Sequence, residues 1–147
     1  MIRISTDAPL ISDFIPGRGP LGGIYSGLRA TRTEFNMFLA CDLPFVSARL
    51  LRFVIERAVV GEADVTVPES RDGEYQPLCA VYRKRALPAI RASLARGQNK
   101  VMRFFRYIQC CVISWAELAG EGFPAWVFDN MNTPEEYQAV KRTIGGM

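Results

Sequence analysis

Short apolar runs alternate with amphipathic stretches along this chain. Apolar residues that recur every three or four positions predict helices, whereas short apolar or alternating runs bounded by turn residues predict strands. On these criteria we predict strands over residues 2–5, 35–40, 63–67, 78–82 and 110–115. Residues 35–40 are almost continuously apolar, which is typical of a strand that is covered on both faces.

Helices are predicted between these strands. One begins at Gly22, and another follows Ser47, an N-cap residue that precedes a clear apolar stripe. A third ends at Gly97, and a short helix is expected over residues 101–108. The last helix opens at T-P-E-E, where Thr133 begins a capping box. The alternation of strands and helices predicts an α/β sheet with helices on both faces.

Composition narrows the class of protein. The chain has 147 residues, of which 49% are hydrophobic and 22% charged, and we expect a single domain over residues 1–147. The sequence contains no histidine, which excludes a Ser/His or Cys/His nucleophile pair and an imidazole metal ligand. The net charge of +3 fits a protein that handles anionic metabolites and is weak support for nucleic-acid binding.

The cysteines and the lengths of the apolar runs predict a cytoplasmic protein. Its cysteines are Cys41, Cys79, Cys110 and Cys111, which lack chelating spacing and are interpreted as small buried apolar residues in a reducing compartment. No apolar run approaches the about 20 residues that a membrane span needs, so we expect no membrane partner.

Candidate chemistry gathers where strands are predicted to end, which is where ligands bind in open α/β sheets. Asp42 follows the apolar run 35–40 directly, and is either a turn residue or a ligand for a positively charged group such as a metal ion. The glycine-rich residues 17–23 either form a tight turn with close helix packing or let the backbone approach a nucleotide. Residues 129–134, D-N-M-N-T-P, precede the last helix, and their asparagines either satisfy loop backbone or face a ligand.

Together these motifs resemble a known family. The succession G-P-L-G-G-I-Y-S-G-L, F-L-A-C-D-L-P-F, Q-P-L-C-A-V-Y and N-M-N-T-P-E-E-Y is similar to the molybdenum cofactor guanylyltransferase family, within the nucleotidyltransferases of Rossmann-like fold. The resemblance extends from Ile2 to about Arg142. It implies a three-layer Rossmann-like sheet with helices on both faces.

The resemblance also implies a reaction and its residues. Members of the family join GMP from GTP to the terminal phosphate of molybdopterin and release pyrophosphate, with Mg²⁺ as cofactor. GTP and molybdopterin would then be the ligands, and maturation proteins of molybdoenzymes are possible partners. The implied roles are catalysis and Mg²⁺ binding for Asp42, catalysis for Lys100, nucleotide binding for Asp13, Gly19 and Gly23, and pterin binding for Asn130 and Asn132. Lys100 stands where the family usually has arginine, so a cation is kept but bidentate phosphate contact is lost.

One part of the family pattern is absent from this sequence. Members begin with a strand and a glycine-rich loop that wraps the triphosphate, whereas this chain resembles them only from their second or third strand onward. A fragment or misassigned start, a degenerate paralogue, or a loop supplied by another chain are the alternatives. We expect an unfilled sheet position, uncovered apolar faces, marginal stability and little or no transferase activity in the isolated chain.

Two further functions remain open. The first is a related nucleotidyltransferase that uses CTP or a sugar phosphate, because the glycine-rich loop does not by itself select the base. The second is a non-catalytic nucleotide- or pterin-binding module. The aromatic and basic runs 82–85 and 103–107 are interpreted as solvated or core positions and not as a nucleic-acid surface.

Overall fold

The computed structural model describes residues 9–131 and 133–145. Within them, four strands form one sheet: β1 (Phe35–Leu39), β2 (Val65–Pro68), β3 (Cys79–Arg83) and β4 (Cys110–Ile113). The strand order is β1-β3-β2-β4. Strand β3 runs antiparallel to both β1 and β2, and β2 pairs with β4 in parallel, so β1, β2 and β4 all run in the same direction. The predicted strand 2–5 lies outside the described residues.

The helices begin and end as follows: α1 Gly19–Ala30, α2 Ala48–Val60, α3 Leu87–Ala95, α4 Val101–Phe104, α5 Trp115–Gly120 and α6 Pro134–Gly145. Two local signals are confirmed. The Leu50 backbone N–H donates to Ser47 Oγ at 3.2 Å, which caps α2. The reciprocal bonds between Thr133 and Glu136, each 3.1 Å, form the predicted capping box of α6.

Two apolar cores lie on opposite faces of the sheet. One contains α1 and α3 packed on β-strand residues that include Val65 and Tyr82. The other contains α2 and α5 packed on residues that include Val81 and Ile113. Each Å² of apolar surface that is buried on the two faces contributes about 25 cal/mol to the stability of this arrangement. The predicted three-layer α/β architecture is therefore confirmed.

Three predicted element boundaries are corrected. Helix α1 begins at Gly19, before Gly22, with Pro20 in its first turn, where a missing N–H costs nothing. The strand predicted over 110–115 ends at Ile113, because Ser114 and Glu117 form a capping box that starts α5. The helix predicted over 101–108 is α4 followed by a 3₁₀ turn at Phe105–Tyr107.

Two further corrections concern burial. Strand β1 lies at an edge of the four-strand sheet, so its residues are half-buried and Leu39 is 47% exposed, in contrast to the predicted cover on both faces. Of the cysteines, Cys79 is buried, Cys110 and Cys111 are half-buried, and Cys41 is exposed, against the prediction for Cys41. No helix within the described residues is both long and apolar enough to cross a membrane.

Candidate functional site

The candidate site lies at the carboxyl ends of β1, β2 and β4. Asp42 follows β1 in a short turn at this end of the sheet. Helix α1 precedes β1 and runs alongside it in the opposite direction. The C-terminus of α1 lies near the start of β1, where Lys84 Nζ donates to the Thr31 carbonyl at 2.7 Å. A helix of 12 residues is about as long as a five-residue strand, so the N-terminus of α1 is level with the end of β1.

The structure brings Asp42 and Asn130 together. Both line a cavity of about 190 Å³, and the Met131 backbone N–H donates to the Asp42 carbonyl at 2.9 Å, which joins the two loops. The remaining lining residues are Ala40, Leu43, Gln76, Pro77 and Leu78. None of Asp13, Gly19, Gly23 and Lys100 lines this cavity.

The Asp42 side chain is half-buried and its carboxylate has no hydrogen-bond or ion-pair partner in the described part of the chain. Both of its oxygens are therefore open to a ligand. Within residues 9–131 and 133–145 there is no cluster of three or more histidine, cysteine or acidic side chains that could hold a metal ion. Mg²⁺ is commonly held by one or two carboxylates together with phosphate oxygens and water, so a single open carboxylate fits that ion when a phosphate is also bound.

The structure accounts for the glycines of α1 in different ways. Gly19 has φ of +58°, a left-handed conformation that glycine adopts without strain. A Cβ on Gly22 would lie 2.8 Å from the Arg18 Cβ, so close packing accounts for that glycine. A Cβ on Gly23 would meet no atom within 4 Å, and its φ is not positive, so neither the fold nor the backbone requires glycine there.

A second contact orders the start of α1. Arg18 is the N-cap residue of α1 and gives it no side-chain cap, which leaves the first backbone N–H groups available to an anion. Its Nη1 instead donates to Asn99 Oδ1 at 2.8 Å, and Lys100 is the next residue along the chain. The glycine-rich loop and the Lys100 loop are therefore adjacent. The side chains of Lys100 and Asp13 are exposed and make no polar contact with the rest of the described chain.

Some of the site could not be assigned from sequence, and one residue cannot be placed. Asn132 lies outside the described residues. Gln76 was not assigned a role, although it belongs to the Q-P-L-C-A-V-Y motif and its backbone N–H is fixed by the Pro68 carbonyl at 2.9 Å. Arg18 and Asn99 were also missed; Arg18 lies within the glycine-rich residues 17–23, and Asn99 directly precedes Lys100.

The strongly shifted acid–base groups belong to the cores and not to this cavity. Burial raises the pKa of the Cys79 thiol to about 12 and that of Cys110 to about 11, and burial also raises the pKa of Tyr82. These groups stay neutral at physiological pH and are structural.

Sequence comparison places these features in a family. Residues 3–111 match the family model described as a MobA-like NTP transferase domain. The chain belongs to this family. The matched range includes Asp13, Gly19, Gly23, Asp42 and Lys100, whereas Asn130 and Asn132 follow it.

Curated relatives of this MobA-like domain carry consistent names. A probable molybdenum cofactor guanylyltransferase of Carboxydothermus hydrogenoformans is 33% identical over 132 residues, which is 90% of this chain and 66% of the relative. A molybdenum cofactor guanylyltransferase of Vibrio atlanticus is 37% identical over 132 residues, which is 88% of this chain and 63% of the relative. The chain therefore spans about two thirds of the length of these relatives.

Solved structures support the fold of the MobA-like domain. The crystal structure of molybdopterin-guanine dinucleotide biosynthesis protein A from Archaeoglobus fulgidus superposes with a TM-score of 0.73 and 21% identity, over 88% of this chain and 64% of that protein. A putative protein from Aquifex aeolicus gives a TM-score of 0.64 at 21% identity, over 78% of this chain and 56% of that protein.

Proposed function

We propose that this chain contributes the metal- and phosphate-binding part of a molybdenum cofactor guanylyltransferase. In this reaction an oxygen of the molybdopterin phosphate forms a bond to the α-phosphorus of GTP. The bond from that phosphorus to the bridging oxygen of the β-phosphate breaks, and pyrophosphate leaves with the electron pair. GMP is thereby transferred, and no covalent intermediate on the protein is needed, which suits a chain without histidine.

The observation that carries the proposal is the open Asp42 carboxylate beside Asn130. In the proposed site Asp42 would hold Mg²⁺, which would supply charge neutralisation where two phosphate groups approach each other. Asn130 and Asn132 would contact the pterin, and Asn130 already lies on the wall of the Asp42 cavity. Lys100 would offer a point charge to the incoming phosphate.

The start of α1 supports the proposed nucleotide roles of Gly19 and Gly23, whereas the role of Asp13 is proposed from the resemblance alone. The N-terminus of α1 has backbone N–H groups free of a side-chain cap, and such groups attract anions. Gly23 leaves open space where a side chain would otherwise stand, so a base or ribose could approach the helix backbone.

The size of the cavity limits what this chain does alone. Sites for small molecules usually enclose about 300–1,000 Å³, whereas the Asp42 cavity has about 190 Å³. It can enclose a metal ion with phosphate oxygens but not a whole nucleotide and a pterin. We therefore expect the isolated chain to bind GTP weakly and to turn it over slowly or not at all.

The decisive experiment compares two carboxylate replacements. Asp42→Asn should weaken Mg²⁺-dependent GTP binding in calorimetry by at least about tenfold, which is about 1.4 kcal/mol. Glu62→Gln removes the same charge from an exposed position just before β2, at the end of the sheet opposite to the cavity, and should leave binding unchanged. Equal binding by the parent and Asp42→Asn would remove Asp42 from the mechanism.

Two further measurements separate the alternatives. Titration with GTP, CTP and UTP distinguishes a guanylyltransferase from a related enzyme that uses another nucleotide. Turnover with GTP, Mg²⁺ and molybdopterin distinguishes an enzyme from a non-catalytic binding module. Robust turnover by the isolated chain would show that the expected inactivity is wrong.

A further inference from the structure

A groove between α1 and α3 forms a second cavity, with a volume of about 530 Å³. It is larger than the Asp42 cavity of about 190 Å³, and it lies within the range of about 300–1,000 Å³ that is usual for small-molecule sites. None of the residues of the candidate site lines it. The lining residues are Tyr25 and Arg29 of α1 and Leu87, Pro88, Arg91, Ala92 and Ala95 of α3.

The groove is separated from the candidate site along the length of α1. Helices α1 and α3 run antiparallel, because Lys84, shortly before α3, contacts the Thr31 carbonyl after α1, whereas Asn99, shortly after α3, contacts Arg18 before α1. A helix rises about 1.5 Å per residue, which places Arg29 about 15 Å along the axis from Gly19 at the start of α1. The arginine of the α1 wall therefore lies far from the proposed nucleotide end of that helix.

Each wall of the groove carries one arginine. Arg29 of α1 and Arg91 of α3 are exposed, and neither forms an ion pair within the described chain. The sequences of α1 and α3 contain no acidic residue. The groove therefore has two positive charges that its own walls do not compensate, and such a concave positive surface attracts anions.

One of the two guanidinium groups is held in place. Arg29 Nη1 donates to the Tyr25 hydroxyl at 3.3 Å, and the Arg29 Cζ lies 4.6 Å from the centroid of the Phe14 ring. A guanidinium has five N–H groups, so most of its donors remain for a ligand. Arg91 makes no polar contact in the described part of the chain. The groove thus combines a fixed cation with one that is free to close on an anion.

The Tyr25 hydroxyl adds a third donor. Tyr25 is only 5% exposed, yet it lines the groove. Its oxygen accepts the bond from Arg29, and no described residue accepts the hydrogen of the hydroxyl itself. Leaving a buried donor without an acceptor is unfavourable. A ligand oxygen in the groove would satisfy this donor and meet the two guanidinium groups.

We propose that this groove binds a soluble phosphomonoester with an apolar body. A phosphomonoester carries about 1.5 to 2 negative charges at neutral pH, which matches two arginines, whereas a carboxylate or a phosphodiester carries one. Guanidinium groups also fit phosphate in a bidentate geometry. The apolar body would pack on Leu87, Ala92 and Ala95. The proposal is independent of the proposed function, because it uses none of the residues assigned to that function.

The test is a nuclear magnetic resonance titration of the intact ¹⁵N-labelled chain with phenyl phosphate, without Mg²⁺. The backbone amide signals of Ala92 and Ala95 should shift and saturate. Arg91→Gln should raise the dissociation constant by at least about tenfold, as loss of a charged hydrogen bond does, and Tyr25→Phe by about fivefold. Arg52→Gln is the matched control, because it removes the same charge from an exposed position on α2, on the opposite face of the sheet. It should bind like the parent.

A second ligand tests the charge requirement. Phenyl sulfate has a similar shape and one negative charge, so it should bind at least about fivefold more weakly than phenyl phosphate. Asp42→Asn should leave both affinities unchanged, which distinguishes a failure of this proposal from a failure of the proposed function.

Four outcomes would overturn the proposal. The first is the absence of shifts at Ala92 and Ala95, and the second is a shift that Arg91→Gln and Tyr25→Phe both leave unchanged. The third is an equal loss of affinity in Arg52→Gln, which would indicate attraction by net charge alone. The fourth is binding to phosphatidylcholine vesicles that contain phosphatidic acid but not to phenyl phosphate, which would indicate a lipid headgroup as the ligand.

Discussion

Replacing Gly27 by alanine tests how closely α1 packs on the sheet. A Cβ at Gly27 would lie 2.6 Å from Cε1 and 2.9 Å from Cζ of Phe38 in β1. Carbon atoms that pack well are about 3.5–4.0 Å apart, so the ring would have to retreat by about 1 Å. It cannot do so freely, because Phe38 packs edge-on against the fully buried Tyr82 ring, with 5.3 Å between centroids. The Tyr82 hydroxyl in turn donates to the Pro77 carbonyl at 2.7 Å.

Two opposing effects set the magnitude for Gly27→Ala. Alanine is favoured over glycine inside a helix by about 0.8–1 kcal/mol. Overpacking a well-ordered core costs about 1–3 kcal/mol. We therefore expect a net loss of about 1 kcal/mol in the free energy of unfolding, which lowers Tm by about 3 °C for a chain of this size.

The matched control is Gly23→Ala in the same helix. A Cβ at Gly23 meets no atom within 4 Å, so only helix propensity changes. We expect a gain of about 0.5–1 kcal/mol. Urea denaturation followed by far-ultraviolet circular dichroism measures both variants, at one protein concentration because association shifts apparent stability.

A double-mutant cycle identifies the clash as the cause. Phe38→Leu makes room beside Gly27, so Gly27→Ala should cease to be destabilising in that background, with a coupling of about 1–2 kcal/mol. The reasoning would be refuted if Gly27→Ala stabilised the parent as much as Gly23→Ala does. In that case α1 would not approach Phe38 as closely as the structure indicates.

Two further predictions concern acid–base behaviour. Hydrogen bonds from the Ser114 backbone and from Arg57 lower the pKa of Glu117. The contribution of Glu117 to the free energy of unfolding is therefore complete above the pKa of the unfolded state, and it is lost as pH falls through the lower pKa of the folded state. Glu117→Gln removes the charge that pairs with Arg57 at 2.7 Å and should therefore cost about 0.5 kcal/mol at neutral pH, as exposed ion pairs do, and this difference in urea denaturation should disappear in acid. Cys41 is exposed and should react rapidly with a thiol reagent, whereas burial raises the pKa of Cys79 to about 12 and should protect it until the chain unfolds.

Each of these has a clear control. Glu121→Gln removes a neighbouring carboxylate that makes no side-chain bond in the described structure, and its stability should not vary with pH in the same way. A difference for Glu117→Gln that persists undiminished in acid would contradict the assigned role. Modification of Cys79 as fast as Cys41 in the folded chain would contradict its burial.

Local signals explain which elements were predictable from sequence. The stripe of α2 and its Ser47 cap depend on residues within one or two turns, and both are confirmed. Helix α5 carries an equally local signal, S-W-A-E from Ser114 to Glu117, but Trp115 continues the apolar run of β4 and conceals the boundary. The start of α1 was placed too late because glycine and proline have poor helix propensity, and tertiary packing overrides it.

The candidate site was predictable only in part, because its geometry is not local. Asp42 could be identified as a candidate because it directly follows an apolar run. Its place at the carboxyl ends of the strands could be expected because ligands bind there in open α/β sheets. The approach of Asn130 depends on a backbone bond between distant loops, from the Met131 N–H to the Asp42 carbonyl. Gln76 reaches the same cavity because β3 begins there, and no periodicity in the sequence indicates that.

The glycines of α1 provide a way to separate what the fold requires from what a ligand would require. Gly19 is explained by its positive φ, and Gly22 and Gly27 by atoms that a Cβ would strike. Gly23 has neither reason, and it forgoes about 0.8–1 kcal/mol of helix stability relative to alanine. The Asp42 carboxylate is similar, since a half-buried charge without a partner in the described chain does not stabilise the fold. Both residues lie toward the carboxyl ends of the strands, so these two positions, which folding leaves unexplained, are available to a metal–nucleotide complex under the proposed function.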